Sequence, residues 1–308
     1  MELRQLRYFV RVVELGSFSQ AAGSLGVVTS ALSQQVSKLE SELSTRLLQR
    51  TSTGVRPTDA GLAFWHQSQL ALRHVDAAAN AAKGARLSGH VSVGMPPSTA
   101  SVMGLGFLRA MHERYPDLRL HLVEGLSGHL ALMLNARQLD LAVLFQVDAA
   151  RRWTVQPLLD EKLFVMGTQT VVGMPTGKST SLSRLKALPL ILPSAPHNLR
   201  TLVDAAFERA GIRPQVVAEI DGLALLMDAV GAGLGATIQP GAAASRLPDD
   251  EIRLVQVSDE HARRPNMLVS LSDDELSPAG LAARVVMTDV ARRLVGDGHW
   301  IGASIHES

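Results

Sequence analysis

Apolar residues over the first 58 positions recur at helical intervals broken by glycine. Leu3, Leu6, Phe9, Val10 and Val13 share one face of a helix that Gly16 stops. Ser19 is placed to cap a second short helix through Ala21, Ala22 and Leu25, which ends near Gly26. Thr29 or Ser30 then caps a third, whose Leu32, Val36, Leu39 and Leu43 predict one buried seam. Three short helices with a tight break at 26–29 are the punctuation of a helix-turn-helix. From Asp59 to about position 87 one long helix is expected, with Thr58 as its cap. Its Leu62, Trp65, Leu72, Val75, Ala79 and Ala82 keep near-heptad spacing, too narrow for a globular core and suited to pairing with another helix.

Beyond residue 90 short apolar runs alternate with helical patterns. Strands are expected at 91–95, 118–124, 139–145, 163–167, 188–192, 216–220, 236–239, 252–257 and 267–271. Helices are expected at about 100–115, 128–137, 198–210, 222–232 and 278–295. Such alternation predicts α/β layers with largely parallel sheets, as one sheet or two small lobes. Ligands of such folds sit beyond the carboxyl ends of strands.

Charge changes the picture. The 308 residues carry 30 Lys+Arg and 29 Asp+Glu, which by itself says nothing about partners. Residues 1–58, however, hold seven basic and four acidic side chains, leaving 23 basic and 25 acidic for the rest. A basic head on a slightly acidic body points to polyanion binding at the N-terminal end. The absence of cysteine excludes disulfides, thiolate-held metals, thiol nucleophiles and thiol redox sensing. Arginines at 4, 7 and 11 interrupt the first apolar stretch, so no signal peptide is expected there. The most apolar window, 222–238, is too short to span a membrane and contains Asp228, so a cytoplasmic protein is expected.

Opposite its apolar seam the third helix shows Ser30, Gln34, Ser37, Lys38 and Ser41. Short polar groups and a lysine suit base edges and phosphates in a major groove, although a solvated face reads the same. Arg50-Thr-Ser-Thr-Gly-Val-Arg56 is either a wing against DNA backbone or a plain surface turn, with Gly54 expected at its tip. Catalytic signs are missing. Gly173-Met-Pro-Thr-Gly-Lys178-Ser179 lacks one residue between the glycines of a phosphate loop, leaving a nucleotide-using enzyme as a remote alternative. Gly231-Ala-Gly-Leu-Gly235 has the wrong spacing for a dinucleotide site and more naturally ends a helix. His112-Glu113 lacks the second histidine of a zinc helix, and the acidic clusters at 249–251 and 273–275 read as solvated turns. No catalytic residue, metal ligand or cofactor is expected. Hydroxyls at strand ends, Ser98 and Thr99, Ser127 and Ser194, together with Arg200, suggest a small anionic ligand such as a carboxylate; each serine could instead be only a helix cap.

Phe9-Val-Arg-Val-Val-Glu-Leu-Gly-Ser-Phe-Ser-Gln-Ala-Ala22, Ala31-Leu-Ser-Gln-Gln-Val-Ser-Lys-Leu-Glu40, Leu47-Leu-Gln-Arg50-Thr and Pro57-Thr-Asp-Ala-Gly61 strongly resemble LysR-type transcriptional regulators. The resemblance continues through Leu139-Asp-Leu-Ala-Val143 and Gly231-Ala-Gly-Leu-Gly-Ala-Thr-Ile-Gln-Pro240, covering roughly residues 1–296. Arg4-Gln-Leu-Arg-Tyr-Phe-Val, Ser33-Gln-Gln-Val and Gln156-Pro-Leu-Leu are most similar to the nitrogen assimilation control subgroup. The resemblance implies an all-α winged helix-turn-helix at 1–58, a dimerising linker helix at 59–88 and a two-lobed α/β effector domain at 89–308, like periplasmic binding proteins. Lobe I would take about 89–160 and 266–296, and lobe II about 161–265. It further implies dimers assembling into tetramers on promoter DNA, with RNA polymerase a further partner. Matched positions put Ser33, Gln34 and Lys38 on the recognition helix and Arg50, Thr51 and Arg56 at the wing, and the Thr29 hydroxyl can still reach a base edge. Ser98, Ser127, Phe145, Ser194 and Arg200 would fall on the effector cleft. Two departures stand out. Val28, Thr29 and Ser30 replace the family's usual Ser-Gln-Pro, removing a frequent base-reading glutamine. Phe145 replaces a polar group of relatives that bind aromatic acids, and subgroup members are thought to work without a co-effector, which leaves control by abundance as an alternative.

Overall fold

The computed structural model describes residues 1–308 except 52–53, 83–86, 148–152, 196, 246–251, 273–274 and 307–308. The side chains of Arg50 and Ala82 and the acidic cluster at 249–251 lie outside the described residues, as do the first two members of the cluster at 273–275. The chain forms two compact units, Met1–Arg86 and Leu87–Ser308.

The first unit holds α1 (Leu3–Leu15), α2 (Phe18–Leu25), α3 (Thr29–Glu42), the hairpin β1 (Leu48–Thr51) and β2 (Gly54–Pro57), and α4 (Asp59–Ala82). Gly16 and Gly26 end α1 and α2 in the left-handed conformation that only glycine adopts without strain. Phe9, Val12, Leu32 and Leu39 are fully buried in the core between the helices. Leu3, by contrast, is exposed, because the inner face of α1 is centred on Leu6, Phe9 and Val12. Two expected caps move. Ser17, two residues before Ser19, accepts the Gln20 N–H and starts α2. Val28 occupies the cap position of α3 with no side-chain bond, so Thr29 and Ser30 lie within the first turn. Thr58 does cap α4, accepting the Gly61 N–H at 3.0 Å.

The seam of α4 is divided. Trp65 and Leu72 pack against the helix-turn-helix core and Leu70 is buried, while Leu62 stays 42% exposed. The heptad reading missed this because α1 supplies an apolar face to α4 within the same chain; Phe9 and Phe64 meet edge to face at 5.3 Å.

The second unit contains β3 (Gly89–Met95), α5 (Pro97–Thr99), α6 (Leu105–Arg114), β4 (Leu118–Glu124), α7 (Ser127–Asn135), β5 (Leu141–Leu144), β6 (Trp153–Gly167), β7 (Ser179–Thr180) and β8 (Pro189–Leu192). Then come α8 (Asn198–Arg209), β9 (Gln215–Glu219), α9 (Leu223–Gly231), β10 (Thr237–Pro240), β11 (Arg253–Val257), β12 (Arg263–Leu271), α10 (Pro278–Gly296) and β13 (Ala303–Ile305). A π-helical turn, Ala100–Gly104, joins α5 to α6. The main sheet runs β4-β3-β5-β12-β6-β11-β7, with β10 and β13 also on β6, and β8 pairs with β9 apart from it.

The expected largely parallel sheet is corrected here. The β3–β4, β3–β5, β7–β11 and β8–β9 pairs are parallel, but every partner of β6 and the β5–β12 pair are antiparallel. The reason is β6 itself. Its 15 residues run out of one apolar cluster, which contains Leu158 and Leu159, into a second, which contains Leu163 and Val165. The return strand β12 passes back from Ala262 to Leu268 and so must run against it. Polar Gln156, Asp160 and Lys162 hide the first half of β6 from an apolar-run reading. Gly173 turns the near-phosphate loop with φ +86°, and a two-residue strand follows instead of a helix. Among the described residues no His/Cys/Asp/Glu group could hold a metal ion, and no helix is long and apolar enough to cross a membrane.

Candidate nucleic-acid interface and ligand cavity

In the first unit α3 turns its apolar seam inward and leaves Thr29, Ser30, Gln34, Ser37, Lys38 and Ser41 exposed, with Ser33 half-buried. Lys38 stands only 3.8 Å from the exposed Glu2 carboxylate, a loose surface pair that a phosphate can displace. Glu40, on the same helix, accepts the Leu47 and Leu48 N–H groups at 2.7 and 2.9 Å and so fixes the start of the hairpin. Thr51 pairs with Gly54 and Gln49 with Arg56, and both Thr51 and Arg56 are exposed. Gly54 is not a free tip: a Cβ there would lie 2.5 Å from the Gly16 carbonyl, which also accepts the Val55 N–H at 2.8 Å. The hairpin is therefore held against the end of α1. Val28, read from the sequence only as a departure from the family's pattern, is 71% exposed at the N-cap of α3. An unburied valine beside exposed hydroxyls was the available signal.

In the second unit a cavity of about 300 Å³ lies between the ends of several elements. Ser98, Ser127, Phe145 and Ser194 line it as expected, joined by His197, Asp221, Gln239 and Arg264. Two expected residues do not. Thr99 is fully buried and its hydroxyl donates to Asn266 Oδ1 at 3.2 Å. Arg200 is held by Glu219 (2.6 Å), Asp204 (2.9 Å) and the Pro193 carbonyl (3.0 Å), and the Glu219 and Asp204 carboxylates raise its pKa. Its i,i+4 partner Asp204 was the sign in the sequence that this arginine has a structural use.

The cation of the cavity is instead Arg264, missed because the strand expected at 267–271 starts four residues earlier, at Arg263. Strand alternation on β12 buries Arg264 and Asn266 while exposing Arg263 and Pro265. The Arg264 guanidinium donates to the fully buried Glu161 at 2.6 and 3.0 Å and to Ser98 Oγ at 2.8 Å, and stacks 3.8 Å over the Phe145 ring. Asn266 and Trp300 supply two more donors to Glu161, at 2.7 and 2.8 Å, so that buried carboxylate is fully engaged. Ser98 and Ser127 both act as acceptors within the protein, the latter from the Phe145 N–H, so each hydroxyl keeps a proton to give. Ser127 opens α7 and Asn198 opens α8, and first-turn N–H groups of both helices face this region.

Asp221 receives the Ser194 N–H and O–H at 2.8 Å, and these bonds hold its pKa below the ordinary value. His197 is pushed down, first by burial and then by Arg264, with Asp221 opposing. Its Nδ1 accepts the Leu199 N–H at 3.2 Å, which leaves the ring proton on Nε2. Donors thus dominate one side of the cavity and a carboxylate stands on the other.

Comparison with known proteins gives the family. Residues 3–62 match the bacterial regulatory helix-turn-helix protein family, lysR type, and residues 84–292 match the LysR substrate binding domain. The nitrogen assimilation regulatory protein nac of Escherichia coli (strain K12) is 37% identical over 250 residues, covering 80% of this chain and 81% of its own. A variant of full-length OxyR from Pseudomonas aeruginosa shares the fold with a TM-score of 0.74 at 23% identity, over 95% of both chains. Full-length CbnR in complex with its target DNA superposes with a TM-score of 0.57 at 23% identity, over 94% of this chain and all of that one. The chain belongs to the LysR family and is a DNA-binding transcriptional regulator rather than an enzyme.

Proposed function

We propose that this regulator reads promoter DNA in the cytoplasm as a dimer of dimers, through the exposed face of α3 and the β1–β2 wing. A carboxylate-bearing effector in the second unit's cavity sets its output. The domain division at 1–58, 59–88 and 89–308 belongs to this reading, with the outward residues of α4, Leu62 and Val75, as the dimer contact. The DNA complex of CbnR supports the mode of binding. Thr29, Ser30, Ser33, Gln34 and Ser37 meet base edges in this reading, while Lys38, Arg50, Thr51 and Arg56 meet phosphates. RNA polymerase is the partner to which the bound regulator passes its signal.

The observation that carries the effector part is the convergence on one cavity of Ser98, Ser127 and Arg264, all with hydrogen-bond donors to spare. Calorimetry of the full-length protein with a panel of small carboxylates tests it. Binding that is lost in Ser127→Ala and survives in Arg200→Ala is expected. If no carboxylate binds, the effector reading falls and control by abundance takes its place.

A further inference from the structure

The charges around the cavity do not balance for a simple anion. Arg264 brings one positive charge, whereas Glu161 and Asp221 bring two negative ones, and His197 is held neutral. Glu161 is spent on Arg264, Asn266 and Trp300. Asp221 is not spent: it is exposed, lines the cavity, and is bonded only to Ser194 among the described residues. A monocarboxylate would put a third carboxylate around one guanidinium, and like charges in one small site oppose each other. A plain amine would meet Asp221 but leave the hydroxyls of Ser98 and Ser127 and the Nη1 edge of Arg264 without an acceptor, which costs binding energy. A molecule carrying both groups satisfies both sides.

The walls fit the rest of such a molecule. Pro97, Leu126, Leu223 and Leu226 line the space with apolar surface. A volume of about 300 Å³ corresponds to about ten water volumes, the size of a ligand with roughly that many heavy atoms. Arg264 and Asp221 line this one cavity of about 300 Å³, so a single small ligand can meet both.

From this geometry we infer that the cavity takes a small zwitterion, its carboxylate on Arg264, Ser98 and Ser127 and its ammonium on Asp221, as in a free amino acid with an apolar side chain. The inference rests on the carboxylate reading of the cavity and narrows it.

The twenty standard amino acids are screened against the full-length protein by shift of its thermal unfolding midpoint. The best is then compared by calorimetry at pH 7 with its des-amino acid and with its decarboxylated amine. The inference predicts a midpoint increase with an apolar amino acid and at least tenfold weaker binding of both analogues. Asp221→Asn, with its own unfolding midpoint measured as a control for folding, should weaken the amino acid at least tenfold and tighten the des-amino acid, whose carboxylate Asp221 opposes. A des-amino acid that binds as tightly as its amino acid overturns the zwitterion and keeps the carboxylate reading. An amine that binds as tightly overturns both, and so does the absence of any shift with amino acids and des-amino acids alike.

Discussion

Single residues separate what the protein builds from what it offers. Arg264 and Glu161 are 4% and 0% exposed, and the arginine neutralises a carboxylate that has no access to water. Arg264→Met should therefore cost about 3–5 kcal/mol in urea unfolding, the scale for orphaning a buried charge. Adding Glu161→Leu should recover most of that loss. His197 works in the opposite sense. Because the folded state depresses its pKa below the ordinary 6.5, the folded chain binds fewer protons than the unfolded one below that pH. Stability is then expected to fall as pH drops below about 6.5, and His197→Asn should flatten the pH profile in that window. Asp221, whose pKa is lowered from 3.8, contributes stability above that pH and loses it only at more acid values, so the two effects separate. At the start of α3, Val28 offers two methyl groups where a thymine methyl can meet them. In a selected binding site, replacing the contacted thymine by deoxyuridine should weaken the wild type several-fold and leave Val28→Ser unaffected, as read by electrophoretic shift.

Elements were legible where local patterning decides them. Gly16, Gly26 and the apolar seam of α3 marked three helices without tertiary help, and seven of the nine apolar runs became strands over close to their expected limits, while 267–271 is only the second part of β12. The ninth, 163–167, is only the end of β6, because a strand that crosses between two cores carries polar residues that apolar-run reading discards. Arg264 was hidden for a related cause: its partner Glu161 lies 103 positions away, and only the fold brings them together. Ser98, Ser127 and Ser194 could be found because each follows a strand, a local signal, whereas the choice between Arg200 and Arg264 depends on long-range pairing. The start of α4 tests how tightly such elements are joined. A Cβ on Gly61 would fall 1.9 Å from the Leu47 carbonyl, so Gly61→Ala must push α4 away from the base of the wing. Thermal unfolding should show a loss of about 1–3 kcal/mol, and an unchanged midpoint would mean that the contact is not kept in solution.

At the scale of the molecule, near-neutral charge conceals a division of labour. The head carries a net +3 over residues 1–58 and the remainder a net −2, so attraction to phosphate is confined to the module whose polar helix face is exposed. A chain without cysteine cannot signal through thiols, although an OxyR variant shares its fold, so the fold does not specify the signal. In the proposed reading the cavity gives the protein a different input, built on one buried arginine and two helix starts.

The central claim is that α3 reads DNA with Gln34 while Lys38 holds phosphate. The measurement that tests it most directly is binding of the full-length protein to its own upstream region across a salt series. Wild type should show log affinity falling linearly with log salt. Lys38→Ala should weaken binding uniformly across sequences and reduce the slope by about 1, whereas Gln34→Ala should reduce discrimination between sites with the slope intact. A Gln34→Ala/Lys38→Ala double variant that keeps wild-type affinity, discrimination and slope would contradict the account.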